Sequence, residues 1–167
     1  MIRRATAADA ADLLALQRRL DAQSSYMMLE PGERGDDTSR LQQRLSGQRD
    51  EGSFDLVAEE DGGLAGWLSV EVLPYRRARH VGYLVLGVDA NQTGRGLGGA
   101  LLAEAVAEAR RRGLRRLELT VMTDNLRALG LYLRAGFAVE GVRRRSVMRD
   151  GELVDEYYMA HLLAEDS

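Results

Sequence analysis

The chain has 167 residues, 45% of them apolar, and a formal net charge of −3, which suits one soluble domain with its own core and argues against a nucleic-acid partner. All 23 basic residues are Arg and Cys is absent, so there is no phosphate-binding or Schiff-base lysine, no disulfide framework, no thiolate zinc site and no thiol nucleophile. Two histidines, His80 and His161, are too few for a three-histidine metal site, and the absence of a signal-type apolar region or of a run near ~20 apolar residues predicts a cytoplasmic protein with no membrane partner.

Ile2 to Ala5 reads as a short strand, after which Thr6 or Asp9 can cap a helix carrying Leu13, Leu14, Leu16 and Leu20 at helical spacing. Between Asp21 and Asp50 the pattern is less regular. A loop bounded by Pro31 and Gly32 covers Tyr26 to Glu33, and Leu41 and Leu45 mark a helix from about Thr38 to Arg49. Phe54 to Glu59 and Leu64 to Leu73 read as strands joined at Asp61-Gly62, a strong hairpin signal. Pro74 and the arginines 76, 77 and 79 form a solvated turn. His80 to Val88 is a nearly continuous apolar run, as expected of a central strand covered on both faces.

Leu97, Leu101, Leu102, Ala105, Val106 and Ala109 mark a helix that ends in Arg110-Arg111-Arg112-Gly113, with cations at the negative end of the dipole and glycine as the stop. Leu114 to Met122 reads as a strand. Thr123-Asp124-Asn125 caps a short helix bearing Leu126, Leu129, Leu131 and Tyr132, and Ala138 to Met148 and Glu152 to Leu162 are strands around Asp150-Gly151. The order β-α-α-β-β-β-α-β-α-β-β predicts an α/β (α+β) fold: a mixed, mostly antiparallel central sheet with helices on both faces, in one domain over residues 1–167.

Thr93-Gly94-Arg95-Gly96-Leu97-Gly98-Gly99 joins the apolar strand to an Ala/Leu-rich helix. Glycines there let the backbone approach a ligand, and the first amides of the helix form an anion site, so a phosphate-bearing ligand is expected. Gly94, Gly96 and Gly99 satisfy the dinucleotide pattern, and Glu118 lies downstream where its ribose-binding acid would be. Two features oppose that reading. Asp89 to Thr93 intervene between the strand and the first glycine, and Glu118 stands near the start of its strand instead of its end.

More residues fit another ligand. Val88 to Gly98 followed by a Leu-Leu helix resembles the acetyl-CoA pyrophosphate loop of the GNAT superfamily of N-acetyltransferases, with its Gln/Arg-x-x-Gly-x-Gly/Ala pattern. Leu119 to Phe137 is similar to the family's next strand and its Asn-x-x-Ala-x-x-Leu-Tyr-x-x-x-Gly-Phe helix, here Asn125, Ala128, Leu131, Tyr132 and Gly136-Phe137. The family's Gln/Arg position falls on Thr93, with Gln92 one place early. The resemblance implies a GNAT-like single N-acetyltransferase domain that moves acetyl from acetyl-CoA directly to a primary amine, without metal; the lack of Cys agrees with a path that forms no acyl-enzyme. It implies cofactor contacts from Leu86, Gly87, Val88, Thr93, Gly94, Arg95, Gly96, Leu97, Gly98, Gly99, Asn125, Ala128 and Tyr132. Leu86 to Val88 would supply a main-chain oxyanion donor, and Tyr132 matches the family's general acid.

Each role has a plainer rival: Tyr132 as a packing aromatic, Asn125 as a helix cap, the glycines as close helix–sheet packing. The acceptor's ammonium must lose a proton, and His80, Glu71 and Tyr83 are the candidate bases, beside a water chain. His80 next to Arg79 is equally a solvated edge residue. The Tyr26 to Glu33 loop and the last hairpin would flank the acceptor, and Glu30, Glu33, Asp150, Glu152, Asp155 and Glu156 would steer a cationic amine or merely be solvated turn acids. Arg143-Arg144-Arg145 reads as a solvated strand edge, and Tyr157, Tyr158 and Met159 among acids allow edge pairing into a homodimer. A non-catalytic acyl-CoA sensor of the same fold is the reading to set against an enzyme.

Overall fold

A computed structural model describes residues 1–47 and 52–163. The elements follow in the expected order: β1 (Ile2–Arg4), α1 (Ala10–Gln23), α2 (Ser39–Leu45), β2 (Phe54–Glu60), β3 (Gly63–Val72), β4 (Val81–Val88), α3 (Leu97–Arg111), β5 (Arg116–Met122), α4 (Leu126–Arg134), β6 (Ala138–Arg149) and β7 (Glu152–Leu162). A 3-10 turn, Ala7–Asp9, leads into α1, and the Asp9 carboxylate there accepts from the Thr6 N–H at 2.7 Å. α2 stops at Leu45, short of the expected end; Arg49 lies outside the described residues.

The strands form one seven-stranded sheet in the order β1-β2-β3-β4-β5-β7-β6. β4 and β5 pair in parallel and every other neighbouring pair is antiparallel. One face carries the main core, in which Leu101, Leu102 and Ala105 of α3 pack on Leu56, Leu68 and Leu84, with Tyr132, Phe137 and Met159 beside them. On the other face Leu13, Leu16 and Leu20 of α1 pack on Val57, Leu64 and Trp67. Asp55 is buried there and both its oxygens are used, accepting from the Trp67 indole N–H at 3.1 Å and from Arg44 Nη2 at 2.6 Å on Oδ1 and from Arg44 Nε at 3.1 Å on Oδ2, so neither oxygen is left without a partner.

The parallel pairing of β4 with β5 covers only Val81 to Tyr83 against Arg116 to Glu118. At Gly82 the two halves of the sheet meet closely, since a Cβ there would lie 2.5 Å from Val70 Cγ1 and 3.0 Å from Leu117 Cδ2. Beyond Tyr83 the strands part, and β5 continues to Met122 paired with β7. β4 is therefore central but not covered throughout: Leu84 is buried, whereas Tyr83 and Val85 are 39% and 38% exposed because their face borders the gap.

β7 also departs from expectation. It lies inside the sheet between β5 and β6, so the exposed edge is β6, whose pairing is broken by irregularities between Val139 and Gly141 and between Arg143 and Val147. Tyr157 packs on the main core and Met159 is buried, leaving Tyr158 as the exposed aromatic of that run. Among the described residues no helix is long and apolar enough to cross a membrane.

Candidate active site

The parting of β4 and β5 opens a cleft of about 550 Å³ between them. Its first wall is the glycine turn. Asp89 anchors the entry, accepting from Asn91 N–H (3.0 Å), Arg19 Nε (3.1 Å) and Gln23 Nε2 (3.1 Å). Burial alone would raise its carboxyl, but these donors outweigh that and hold it below the usual carboxylate value. A short 3-10 turn, Ala90–Gln92, follows. Gly94 and Gly96 then take φ of +82° and +78°, and a Cβ on either would meet nothing within 4 Å, so backbone conformation and not crowding demands glycine.

Gly96 caps α3 without a side chain, and the first helical return bond runs from Ala100 N–H to Gly96 O at 3.0 Å. The N–H groups of Leu97, Gly98 and Gly99 therefore have no partner within the helix, and all three residues line the cleft. Beside them the Gln92 Oε1 atom is buried without a hydrogen-bond partner. Arg127 and Arg134 line the same cavity from α4. Unpartnered amides at a helix start, an orphaned amide side chain and two guanidinium groups fit an elongated ligand bearing phosphates and amide linkages, as acetyl-CoA does.

The second wall is β4. Asp89 N–H bonds to Ala65 O at 2.8 Å, which sets the alternation of the β3–β4 ladder: odd-numbered residues of β4 exchange bonds with β3, and even-numbered residues turn their N–H groups the other way. β5 takes up those groups only as far as the Tyr83–Glu118 pair. The N–H groups of Leu86 and Val88 are thus left facing the cleft, the geometry an oxyanion donor needs.

Tyr132 closes the cavity from α4. It is 7% exposed, its ring lies 5.8 Å from that of Phe137, and it lines the cleft. Burial first, and then the nearby Tyr83, push its phenol well above the ordinary value of 10.0. Asn125 does cap α4, accepting from Ala128 N–H at 3.3 Å, and both residues also line the cavity.

A further wall of the cleft is formed by Tyr26, Met27 and Met28 of the loop after α1, with Tyr83, Thr120, Met122 and Glu156 from the sheet. The Tyr83 hydroxyl and Thr120 Oγ1 are 2.8 Å apart and share a hydrogen bond. The loop is held at both ends: Arg34 donates to buried Asp21 (Nε to Oδ2, 2.7 Å), and Arg149 stacks 5.3 Å over the Tyr26 ring while pairing with Asp124.

Three expected site residues lie elsewhere. His80 is exposed just before β4, its carbonyl taken by the Arg115 and Arg116 N–H groups, at the opposite end of that strand from Leu86 to Val88. Glu71 stands opposite Tyr83 across β3 and β4 but is not a lining residue. Arg95 points away, 3.6 Å from Asp61 of the β2–β3 turn. Every other expected residue of the donor site, and Tyr83, lines the cleft. Arg127 and Arg134 line the cavity without standing in either sequence motif, although their i, i+7 spacing puts them on one helix face and is readable in the sequence.

Residues 18–137 match the model of the acetyltransferase (GNAT) family. The chain belongs to the GNAT acetyltransferase family. L-amino acid N-acetyltransferase AaaT of Escherichia coli (strain K12) is 39% identical over 109 residues, 64% of this chain and 67% of that protein. Mycothiol acetyltransferase of Clavibacter sepedonicus is 38% identical over 134 residues, 79% of this chain, but the chain spans only 40% of that protein's length. Among solved structures, the GNAT-family acetyltransferase from Streptococcus pneumoniae superposes with a TM-score of 0.93 at 31% identity, covering 98% of this chain and 99% of the other. The Salmonella typhimurium protein yncA, solved with its cofactor acetyl-CoA, shares the fold at TM-score 0.88 and 23% identity, over 100% and 95% of the two chains. The protein is accordingly an acetyl-CoA-dependent N-acetyltransferase, and the dinucleotide reading of the glycine turn falls away. Among the described residues no group of His, Asp or Glu is placed to hold a metal ion.

Proposed function

We propose that this GNAT protein acetylates a primary alkylamine of small size, cytoplasmic and within a ternary complex, by direct attack on the thioester. The observation that carries the reading is the early end of the β4–β5 pairing, which leaves one cleft between the strands, lined by helix-start amides and arginines and also by the Tyr26–Met28 loop that would receive an acceptor. The amides of Leu97, Gly98 and Gly99, with Arg127 and Arg134, would hold the phosphate-bearing part of acetyl-CoA, whose activated acetyl group supplies the chemistry. The Leu86 and Val88 N–H groups are preorganised for the charge that develops on the carbonyl oxygen, and need no reorganisation as it forms. Tyr132, kept neutral by burial, can give its proton to the departing sulfur, while the acceptor's ammonium loses its proton to solvent through water or the Tyr83 hydroxyl, the one candidate base that lines the cleft.

The apolar wall of Tyr26, Met27, Met28 and Met122 favours an acceptor with an apolar body around its amine. A homodimer belongs to this reading, supported by the open β6 edge and by exposed Val139, Val142 and Met148 on that strand. Calorimetry tests the donor assignment: acetyl-CoA and desulfo-CoA should bind and NAD should not. Binding of NAD without either CoA species would overturn it.

A further inference from the structure

Charge divides the cleft. Arg127 and Arg134 line it from α4, and Glu156 is the acidic residue among its described lining residues. Glu156 pairs in register with Met122, the last residue of β5, so it stands at the open end of the split, whereas Tyr83 stands where pairing stops. The residue is 3% exposed. The two oxygens of this largely buried carboxylate are unequally supplied with partners, and Oε2, unlike Gln92 Oε1, keeps accessible surface. Oε1 accepts from Arg143 Nη1 at 3.1 Å and from Ser146 Oγ at 2.8 Å; Oε2 accepts no hydrogen bond among the described residues. The methionine side chains of the acceptor wall have no donor to offer it. The other acids of the loop and hairpin differ: Glu30, Glu33, Asp150 and Glu152 are exposed, and Asp155 is engaged by the Arg145 N–H.

We propose that Glu156 Oε2 receives the ammonium group of the acceptor, which makes Glu156 the residue that selects a cationic alkylamine over a neutral arylamine. The assignment rests on the reading that the cleft takes an amine beside acetyl-CoA. Arg143 and Ser146 fix the carboxylate through Oε1, so Oε2 is oriented before the acceptor arrives and little side-chain freedom is lost on binding. Arg143 is itself steadied, 5.4 Å over the Tyr158 ring. The opposite charges that line the cleft would favour an anionic donor and a cationic acceptor together.

Glu156→Gln tests the contact while keeping size and the Oε1 acceptor. Benzylamine is an ammonium ion at neutral pH and aniline of similar shape is neutral, so the pair reads charge with little change of bulk. With Glu156→Gln, the KM and the calorimetric Kd for benzylamine should rise about ten- to a hundredfold, the range of a charge-assisted hydrogen bond, while the Kd values for aniline and for acetyl-CoA stay unchanged. An equal rise for both amines, or none for either, overturns the proposal. Calorimetric binding of benzylamine in the presence of desulfo-CoA reads the same contact without turnover. Loss of that binding in Glu156→Gln supports the assignment; equal binding, or no binding to the unaltered protein, overturns it. Should benzylamine bind through Glu156 while acetyl-CoA yields no amine-dependent thiol, the transfer reading fails and the ammonium site stands.

Discussion

At the scale of single residues, the chemistry turns on what burial does to Tyr132. A phenol with a folded-state value above its ordinary 10.0 stays protonated below that value and loses its proton only when the pH passes the raised one. The acid is therefore available throughout neutral and mildly alkaline solution. Tyr132→Phe removes the proton and keeps the ring against Phe137, so turnover should fall by about 10²-fold or more while the Kd for acetyl-CoA is retained. The pH–rate profile of the unaltered protein should show no loss from phenol ionisation as the pH rises to about 10. Undiminished turnover in Tyr132→Phe would return Tyr132 to a packing role. His80 shows what residue chemistry alone leaves out. It has a suitable imidazole and adjoins the right strand, but a strand runs in a line, and the amides of Leu86 and Val88 stand at its other end.

At the scale of elements the glycine turn and α3 form one anion-binding unit, and its geometry depends on Gly96. That residue has φ of +78°, and a Cβ placed on it would have no neighbour within 4 Å, so Gly96→Ala brings backbone strain and no clash. The expected cost is about 1–2 kcal/mol, or a fall in Tm of roughly 2–8 °C, together with weaker acetyl-CoA binding; thermal melts with and without acetyl-CoA measure both. Loss of stability with unchanged affinity would detach the turn from the ligand. The turn was legible because glycines, an apolar strand and a helical repeat of Leu and Ala adjoin in the chain. The feature that mattered more, the parting of β4 from β5, was not. Local patterns report which face of a strand is buried and say nothing of where a distant partner strand stops. Hence the run from His80 to Val88 reads as covered on both faces, although Tyr83 and Val85 face the gap.

At the scale of the whole molecule, a mostly antiparallel sheet with one parallel pair is joined along Val81 to Tyr83 and open beyond it, so donor and acceptor can meet where the two strands part. The order of elements and the mixed sheet followed from the sequence because turn signals at Asp61-Gly62 and Asp150-Gly151 fix two hairpins and the glycine turn fixes a crossover. The proposed acceptor wall was less legible. Tyr26, Met122 and Glu156 come from three distant segments, and only folding brings them onto one wall. Glu156 in particular reads as one turn acid among several until its strand is placed inside the sheet. The most direct test is release of free thiol from acetyl-CoA across a panel of primary amines, arylamines and alcohols. A transferase of this design should give thiol release that depends on a primary alkylamine and appears in equal amount with N-acetylated product; binding of acetyl-CoA with no amine-dependent thiol from any member of the panel would contradict it.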